Sequence, residues 1–221
     1  MSTLVKPGFG PSGPDLLRRL PRAVRTALAA LAIVLAGLVV WWATLGANAG
    51  QTWVLVEEPF PFNLTYGEDF EQVGSDEAAL VLERYRDDGL FVSSLAVKEV
   101  TLPPYRGLAS GMLPLYATAH VAQLRESLEG FELVEEGKTR VNLVPGYEVV
   151  FKAQRGERTI YGRDVFLVPE TPGQRQGALI ELRATPASGT PNAQSIGTVG
   201  SIKQPYRSFR FGAERENEPP E

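Results

Sequence analysis

The stretch LPLYATAHVAQLRESLEG, residues 113–130, is the most strongly helical segment after residue 50, where the other regular segments alternate like strands. Its apolar residues recur at helical spacing and share one face: Leu113, Ala117, Val121, Leu124 and Leu128. Charged side chains occupy the opposite face, and Gly130 follows the last turn, where glycine commonly ends a helix. The pattern predicts one long helix that packs its apolar face on a sheet.

Strand-like segments precede this helix. Residues 60–66 alternate apolar and polar side chains, which predicts a strand with one side facing solvent. Residues 79–86 and 90–102 are two further strand segments, and Asp87-Asp88-Gly89 between them is typical of a hairpin turn. After the helix, five more strand segments are predicted: 131–135, 139–144, 147–153, 159–168 and 179–185.

The C-terminal part of the domain predicts a second, shorter helix. Thr190 can cap this helix and Pro191 suits its first position, so that Ile196, Val199 and Ile202 would face the sheet. Residues 206–211 then close the domain as a last extended segment. Because most neighbouring strands are linked as hairpins, we expect an α+β fold with a largely antiparallel sheet covered by one long and one short helix.

The N-terminal part of the chain has a different composition. Residues 26–45, TALAALAIVLAGLVVWWATL, carry no charge, and as a helix they would span roughly 30 Å, the thickness of a bilayer's hydrocarbon core. Residues 1–25 have a net charge of +4, and the rest of the chain has a net charge of −8. This asymmetry predicts a transmembrane helix from Thr26 to Leu45 in the cytoplasmic membrane, with the N-terminus in the cytoplasm and the domain outside.

Two interpretations of this apolar segment are open. Its length and the Trp41-Trp42 pair at its far end favour a retained signal anchor. Ala47-Asn48-Ala49 matches a signal-cleavage site, so the alternative is a protein secreted after cleavage at Ala49. The expected organisation is a basic tail over 1–25, the span over 26–45, a linker and first strand region over 46–58, the extracytoplasmic domain over 59–211 and an acidic tail over 212–221.

The residue types available for chemistry are few. The chain has no cysteine, which excludes disulfides and thiolate nucleophiles, and one histidine, which excludes most imidazole-based metal sites and catalytic triads. A formal net charge of −4 disfavours general binding to nucleic acid. The sequence contains neither a phosphate-binding loop nor a dinucleotide fingerprint, and we expect no cofactor and no metal. The excess of arginine over lysine is typical of a GC-rich bacterial genome.

Four residues are candidates for contact with a partner. Tyr105 and Arg106 lie in the loop 103–107, and these residue types are common at interface hot spots. The alternative for this loop is a plain strand-to-helix connection with Tyr105 folded over the core. His120 lies about 60° from the centre of the apolar helix face, with Tyr116 one turn away. His120 is either a general base or, as we favour, a boundary side chain with a satisfied hydrogen bond.

Three stretches resemble the PsbP-like superfamily, which also includes a Ran-GTPase-binding factor. FNLTYGEDFEQV (62–73) is similar to its opening strand, although Gly67 stands where a proline is typical. GFELVEEGKTRVNLVPGYEVVFKAQ (130–154) is similar to the strands after its helix, and YRSFRF (206–211) to its closing segment. The resemblance implies a binding or assembly module, usually without catalysis. Members share a fold more than a site, so no functional residue is carried over.

These features predict a non-catalytic, membrane-anchored module of the bacterial cell envelope that binds a protein or an envelope ligand near the bilayer. One alternative is a secreted small-ligand carrier, which requires an apolar cavity between the helix and the sheet. The other is a hydrolase, which requires His120 in a cleft with a perturbed pKa.

Overall fold

The computed structural model describes residues 50–171 and 174–213, together with the isolated positions 21, 24, 31, 33 and 34. The chain divides into two units, Met1–Ala49 and Gly50–Glu221. In the first unit the backbone is helical at residues 24, 31, 33 and 34. Among the described residues, no helix has both the length and the apolar character needed to cross a membrane.

The predicted N-terminal features lie almost wholly outside the described residues. Thr26, Leu45, Ala47 and Ala49 are not among them, so the span, its orientation and cleavage after Ala49 stay predictions. The same holds for the acidic tail beyond residue 213.

Ten strands form two antiparallel sheets in the second unit. They are β1 (Gln51–Val56), β2 (Phe62–Gly67), β3 (Glu71–Val73), β4 (Leu80–Tyr85), β5 (Phe91–Thr101), β6 (Glu132–Val141), β7 (Val144–Arg155), β8 (Arg158–Leu167), β9 (Gln176–Ala184) and β10 (Arg210–Phe211). The order is β1-β2-β10 in the small sheet and β3-β4-β5-β9-β8-β7-β6 in the large one. The α+β class and the antiparallel pairing are as predicted, whereas the division into two sheets was not foreseen.

Helix α1 (Leu113–Ser127) packs on one face of the large sheet through the predicted apolar side chains. Leu113, Ala117, Val121 and Leu124 are buried, and they meet a strand surface that includes Val149, Phe151 and Phe166. These three strand residues have no exposed surface, so the space between the helix and the sheet is filled. The helix ends before Gly130, whose φ of +59° is in the left-handed region that favours glycine.

The small sheet and helix α2 (Lys203–Ser208) cover the opposite face of the large sheet. Phe62 and Leu64 of β2 pack there with Phe209. The prediction of a solvent-facing side for β2 is wrong at Asn63, which is buried and donates its side-chain amide to the Gly212 carbonyl at 2.9 Å. The cause is the chain end, since β10 pairs with β2 and covers this position.

Two details of the predicted element order are also wrong. The segment after Thr190 forms only a short 3-10 turn, Ala193–Ser195, because Gly197 and Gly200 have φ of +76° and +73° and interrupt a helix. The second helix therefore begins at Lys203 and occupies the first half of the predicted last extended segment, whose end is strand β10. In addition, the two strand segments predicted over 131–144 form one continuous strand, β6.

A strained turn joins β6 to β7. Asn142 and Leu143 both have positive φ, 44° and 73°, a conformation that favours asparagine and glycine and disfavours leucine. Asn142 donates its side-chain amide to the carbonyls of Arg207 and Phe209 and so ties the turn to the end of α2. Leu143 is 82% exposed, so burial of its side chain does not offset the backbone strain.

We expect Leu143→Gly to stabilise the fold by about 1 kcal/mol, because glycine relieves the left-handed strain at a small cost in unfolded-state entropy. Urea denaturation measures this change. Leu143→Ala is the matched control, since it removes the exposed side chain but keeps the strain, and its stability should stay near that of the wild type. Equal destabilisation by both substitutions would contradict the strain argument.

Candidate functional site

A cluster of charged side chains lies on the large sheet beside α1. Asp164 of β8 is directly paired with Glu181 of β9, and Arg183 of β9 is paired with Gly162 of β8. Because residues two apart on a strand share a face, Asp164, Glu181 and Arg183 all point to the α1 side. His120 reaches the cluster from the helix, with its Nε2 atom 2.7 Å from Asp164 Oδ2.

Asp164 is the centre of this cluster. Its side chain has no exposed surface, and both of its carboxylate oxygens contact the Arg183 guanidinium, Oδ1 through Nη1 and Oδ2 through Nη2. Burial raises the pKa of Asp164, but Arg183 and the hydrogen bond from His120 outweigh burial and hold that pKa below its usual value of 3.8. The ion pair therefore stabilises the fold above pH 3.8, and this stabilisation is lost as the pH falls through the lower folded-state pKa.

The guanidinium of Arg183 is held in place by an aromatic ring. Phe151 of β7 is paired with Gly162, and a Cβ atom at Gly162 would lie only 2.1 Å from the Phe151 ring. The absence of a side chain at Gly162 lets the ring lie across β8. The ring then reaches Arg183, whose guanidinium carbon is 4.9 Å from the ring centroid.

His120 is at the edge of the core, as the helical spacing predicts. Its ring packs edge-on against Phe166 at 5.2 Å between centroids, and Tyr116 packs on the same ring at 5.6 Å. The structure thus brings two of the four candidate residues together.

Alternating charges continue from this cluster toward β5. Glu181 is 3.2 Å from the Lys98 ammonium group, and Lys98 is in turn 3.9 Å from the carboxylate of Glu77. Lys98 is paired with Leu179 and therefore lies diagonally across from Glu181. Acidic and basic side chains therefore alternate along this open part of the sheet face.

The chemistry that this cluster can support is limited by Arg183. His120, Asp164 and Glu181 have potential metal-ligand atoms within 4.8 Å of one another. Arg183 already supplies a cation there, since it pairs with Asp164 and lies 3.9 Å from Glu181. The same pairing occupies Asp164, so the carboxylate serves to fix His120 and Arg183 in position.

The loop 103–107 holds the other two candidates, and they have different environments. Tyr105 is half-buried against the α1-side core, and its hydroxyl donates to the Gln174 carbonyl, which fits the alternative of a plain connection. Arg106 is exposed. Two leucines that follow are also exposed, Leu108 at 64% and Leu115 at 68%.

Sequence reasoning missed Asp164, Arg183 and Glu181. In the predicted strand 179–185, Glu181 and Arg183 alternate with apolar residues, which is typical of a solvent-facing side, but that side lies under and beside α1. A usable signal was present in β8, where Arg163-Asp164 interrupts an apolar strand and both residues are buried. Charged residues in such a strand require partners from other elements.

No family model matches this chain, and no curated protein matches it. Solved structures with a similar fold include LpqN of Mycobacterium tuberculosis, which is involved in cell envelope biogenesis. It is 9% identical, with a TM-score of 0.50 over 74% of this chain and 92% of that chain. At this identity the likeness shows a common fold and nothing about function.

Two further solved structures are also similar to this chain. PsbP (CyanoP) of Synechocystis sp. PCC 6803 is 13% identical, with a TM-score of 0.47 over 74% of this chain and 94% of that chain. The Ran-binding protein Mog1p of Saccharomyces cerevisiae is 8% identical, with a TM-score of 0.45 over 73% of this chain and 95% of that chain. The structural neighbours of this α+β domain thus include PsbP and Mog1p as well as LpqN.

We expect Asp164→Ala to reduce the free energy of unfolding by about 3–5 kcal/mol, because it leaves Arg183 without its counterion in a mostly buried place. Asp69→Ala is the matched control. Asp69 pairs with Arg84 at 2.8 Å where both side chains are partly exposed, and its loss should cost less than about 1 kcal/mol. Chemical denaturation at neutral pH compares the free energies of unfolding of the two variants. Similar losses of stability would contradict the argument that the buried ion pair of Asp164 is worth more than the exposed pair of Asp69.

Proposed function

We propose that this chain is a non-catalytic binding or assembly module of the bacterial cell envelope that contacts a protein partner through the surface at the start of α1. The observation that carries the proposal is that Leu108 and Leu115 are exposed, as is Arg106, all within ten residues of sequence at the start of α1. The involvement of LpqN, a structural neighbour, in cell envelope biogenesis supports the envelope setting.

The leucine surface is built on a rigid base. Ala109 and Leu113 lie between the two exposed leucines in sequence, and both are buried in the α1-side core. The preceding loop, 103–107, is fixed by the Tyr105 hydroxyl, which donates a hydrogen bond to the Gln174 carbonyl. Exposed apolar residues on a fixed base, next to an exposed arginine, are typical of a protein contact surface.

Two observations favour binding over the alternatives. A hydrolase needs its base in an open cleft, whereas the His120 side chain is only 14% exposed and packs edge-on against Phe166. A small-ligand carrier needs a cavity between the helix and the sheet, and Val149, Phe151 and Phe166 fill that space.

A photoreactive residue, p-benzoylphenylalanine, placed at Leu108 or Leu115 tests the partner surface in intact cells. We expect both positions to crosslink to the same protein, because both leucines belong to one contact surface. Leu143 is the matched control, since it is equally apolar and 82% exposed but lies on the β6–β7 turn. The absence of a product at both positions, or the same product at Leu143, would contradict the proposal.

The proposal includes a single-pass anchor through residues 26–45, with the N-terminus in the cytoplasm. Since the chain has no cysteine, single cysteines report its orientation without background. Gly74 is exposed, with nothing within 4 Å of a Cβ placed there, so we expect Gly74→Cys to react with a membrane-impermeant maleimide in intact cells.

Ser2→Cys is the control for the same labelling experiment and should react only after lysis. Labelling of Ser2→Cys in intact cells would contradict the proposed orientation. Recovery of the Gly74→Cys chain in the medium, shortened to begin at Gly50, would show instead that the domain is secreted after cleavage at Ala49.

A further inference from the structure

We propose that the arginine cleft at the end of the β7–β8 hairpin binds a phosphate group. The cleft has a volume of about 330 Å³, and its lining includes Phe91, Arg155, Arg158, Ile160 and Thr185. This site is distinct from the leucine surface at the start of α1 and does not depend on the proposed function.

A second cleft of similar volume adjoins the first and shares Phe91, Arg158 and Thr185 with it. This second cleft adds the guanidinium of Arg86 and an apolar wall that includes Leu90 and Pro186. Three arginines therefore line the two clefts, of which Arg86 is paired with Asp88, and Glu157 is the acidic residue in the combined lining.

Arg155 and Arg158 are directly opposite each other across the hairpin. Side chains of directly paired residues lie on the same side of a sheet, so the two positive charges face each other, which disfavours the hairpin.

Other arginines nearby are neutralised, since Arg84 pairs with Asp69 and Arg86 with Asp88. Within the described part of the chain, neither Arg155 nor Arg158 has a carboxylate within ion-pair distance. The missing counter-charge is what an anionic ligand would supply.

The side chains are arranged for a ligand of this kind. The guanidinium carbon of Arg155 lies 5.4 Å from the centroid of the Phe91 ring, which holds one of the two charges at the cleft wall. Both arginines are exposed, so a ligand can reach them from solvent. A guanidinium offers two parallel donors to an oxyanion, and a tetrahedral phosphate has enough oxygens to accept from two guanidinium groups at once. A phosphate also carries more acceptor oxygens and more negative charge than a lone carboxylate, which favours phosphate over carboxylate.

The test is isothermal titration calorimetry on the full chain in a non-ionic detergent. Three soluble probes are used: inorganic phosphate, the diester headgroup glycerophosphoglycerol, and triglutamate as the carboxylate comparison. We expect at least one of the two phosphate probes to bind, and we expect triglutamate to bind more weakly than that probe. Tighter binding of the diester would identify a lipid headgroup as the source, and tighter binding of inorganic phosphate would identify a free phosphate.

The double variant Arg155→Gln/Arg158→Gln should weaken phosphate binding by about tenfold or more, while Arg140→Gln, an exposed arginine on β6, should change it by less than about twofold. The glutamine variant removes the charge repulsion in the hairpin, so its melting temperature should equal or exceed that of the wild type. Arg155→Lys/Arg158→Lys keeps the charges without the paired donors, and its affinity should lie between those of the wild type and the glutamine variant.

Three results would overturn the proposal. They are failure of both phosphate probes to bind the wild type, equal affinity of the wild type and the glutamine variant, and binding of triglutamate at least as tight as that of phosphate. The last result would assign the cleft to an acidic peptide.

Discussion

The contact between Asp164 and Arg183 is the constraint around which the large sheet is built. A carboxylate with no exposed surface in the strand next to the central one is unfavourable unless a cation lies against it. That cation comes from the adjacent strand β9, and its position depends on the strand register, on Gly162 between Phe151 and Arg183, and on the Phe151 ring. His120 then joins the helix to the same carboxylate, so that one ion pair relates β7, β8, β9 and α1 to one another.

The two faces of the large sheet are covered in different ways. The face toward the small sheet is covered by hydrocarbon, with Phe62 and Leu64 of β2 meeting Val165 and Ile180 of the large sheet. The face toward α1 is apolar only beneath the helix, and beyond it the series Glu181, Lys98 and Glu77 reaches solvent. A single 15-residue helix does not cover seven strands, and beyond the helix the sheet face carries paired acidic and basic side chains.

An arginine that is neutralised within the protein has a structural role, whereas an arginine without a counterion indicates a ligand. Arg183 has its counterion inside the protein, and this pairing accounts for its place in the fold. Arg155 and Arg158 face each other at a hairpin end, where their like charges repel and no ion pair within the described part of the chain offsets the repulsion. The leucines at positions 108 and 115 are the corresponding case for apolar surface, since they are exposed while Ala109 and Leu113 between them are buried in the core. Charge and apolar area that the fold does not use are the features that point to ligands and partners.

Local sequence determined the element types, because periodicity and turn residues act over a few positions. The apolar stripe from Leu113 to Leu124, the Asp87-Asp88-Gly89 hairpin and the antiparallel α+β class were all predictable in this way. Tertiary structure decided what long-range pairing alone can set. The burial of Asn63 depends on β10, which pairs with β2, and the site at Asp164 depends on Arg183, 19 residues away in sequence, and on His120, 44 residues away. Glu181 and Arg183 read as a solvent-facing side in sequence, since alternation shows that a strand has two sides but does not show what covers each of them.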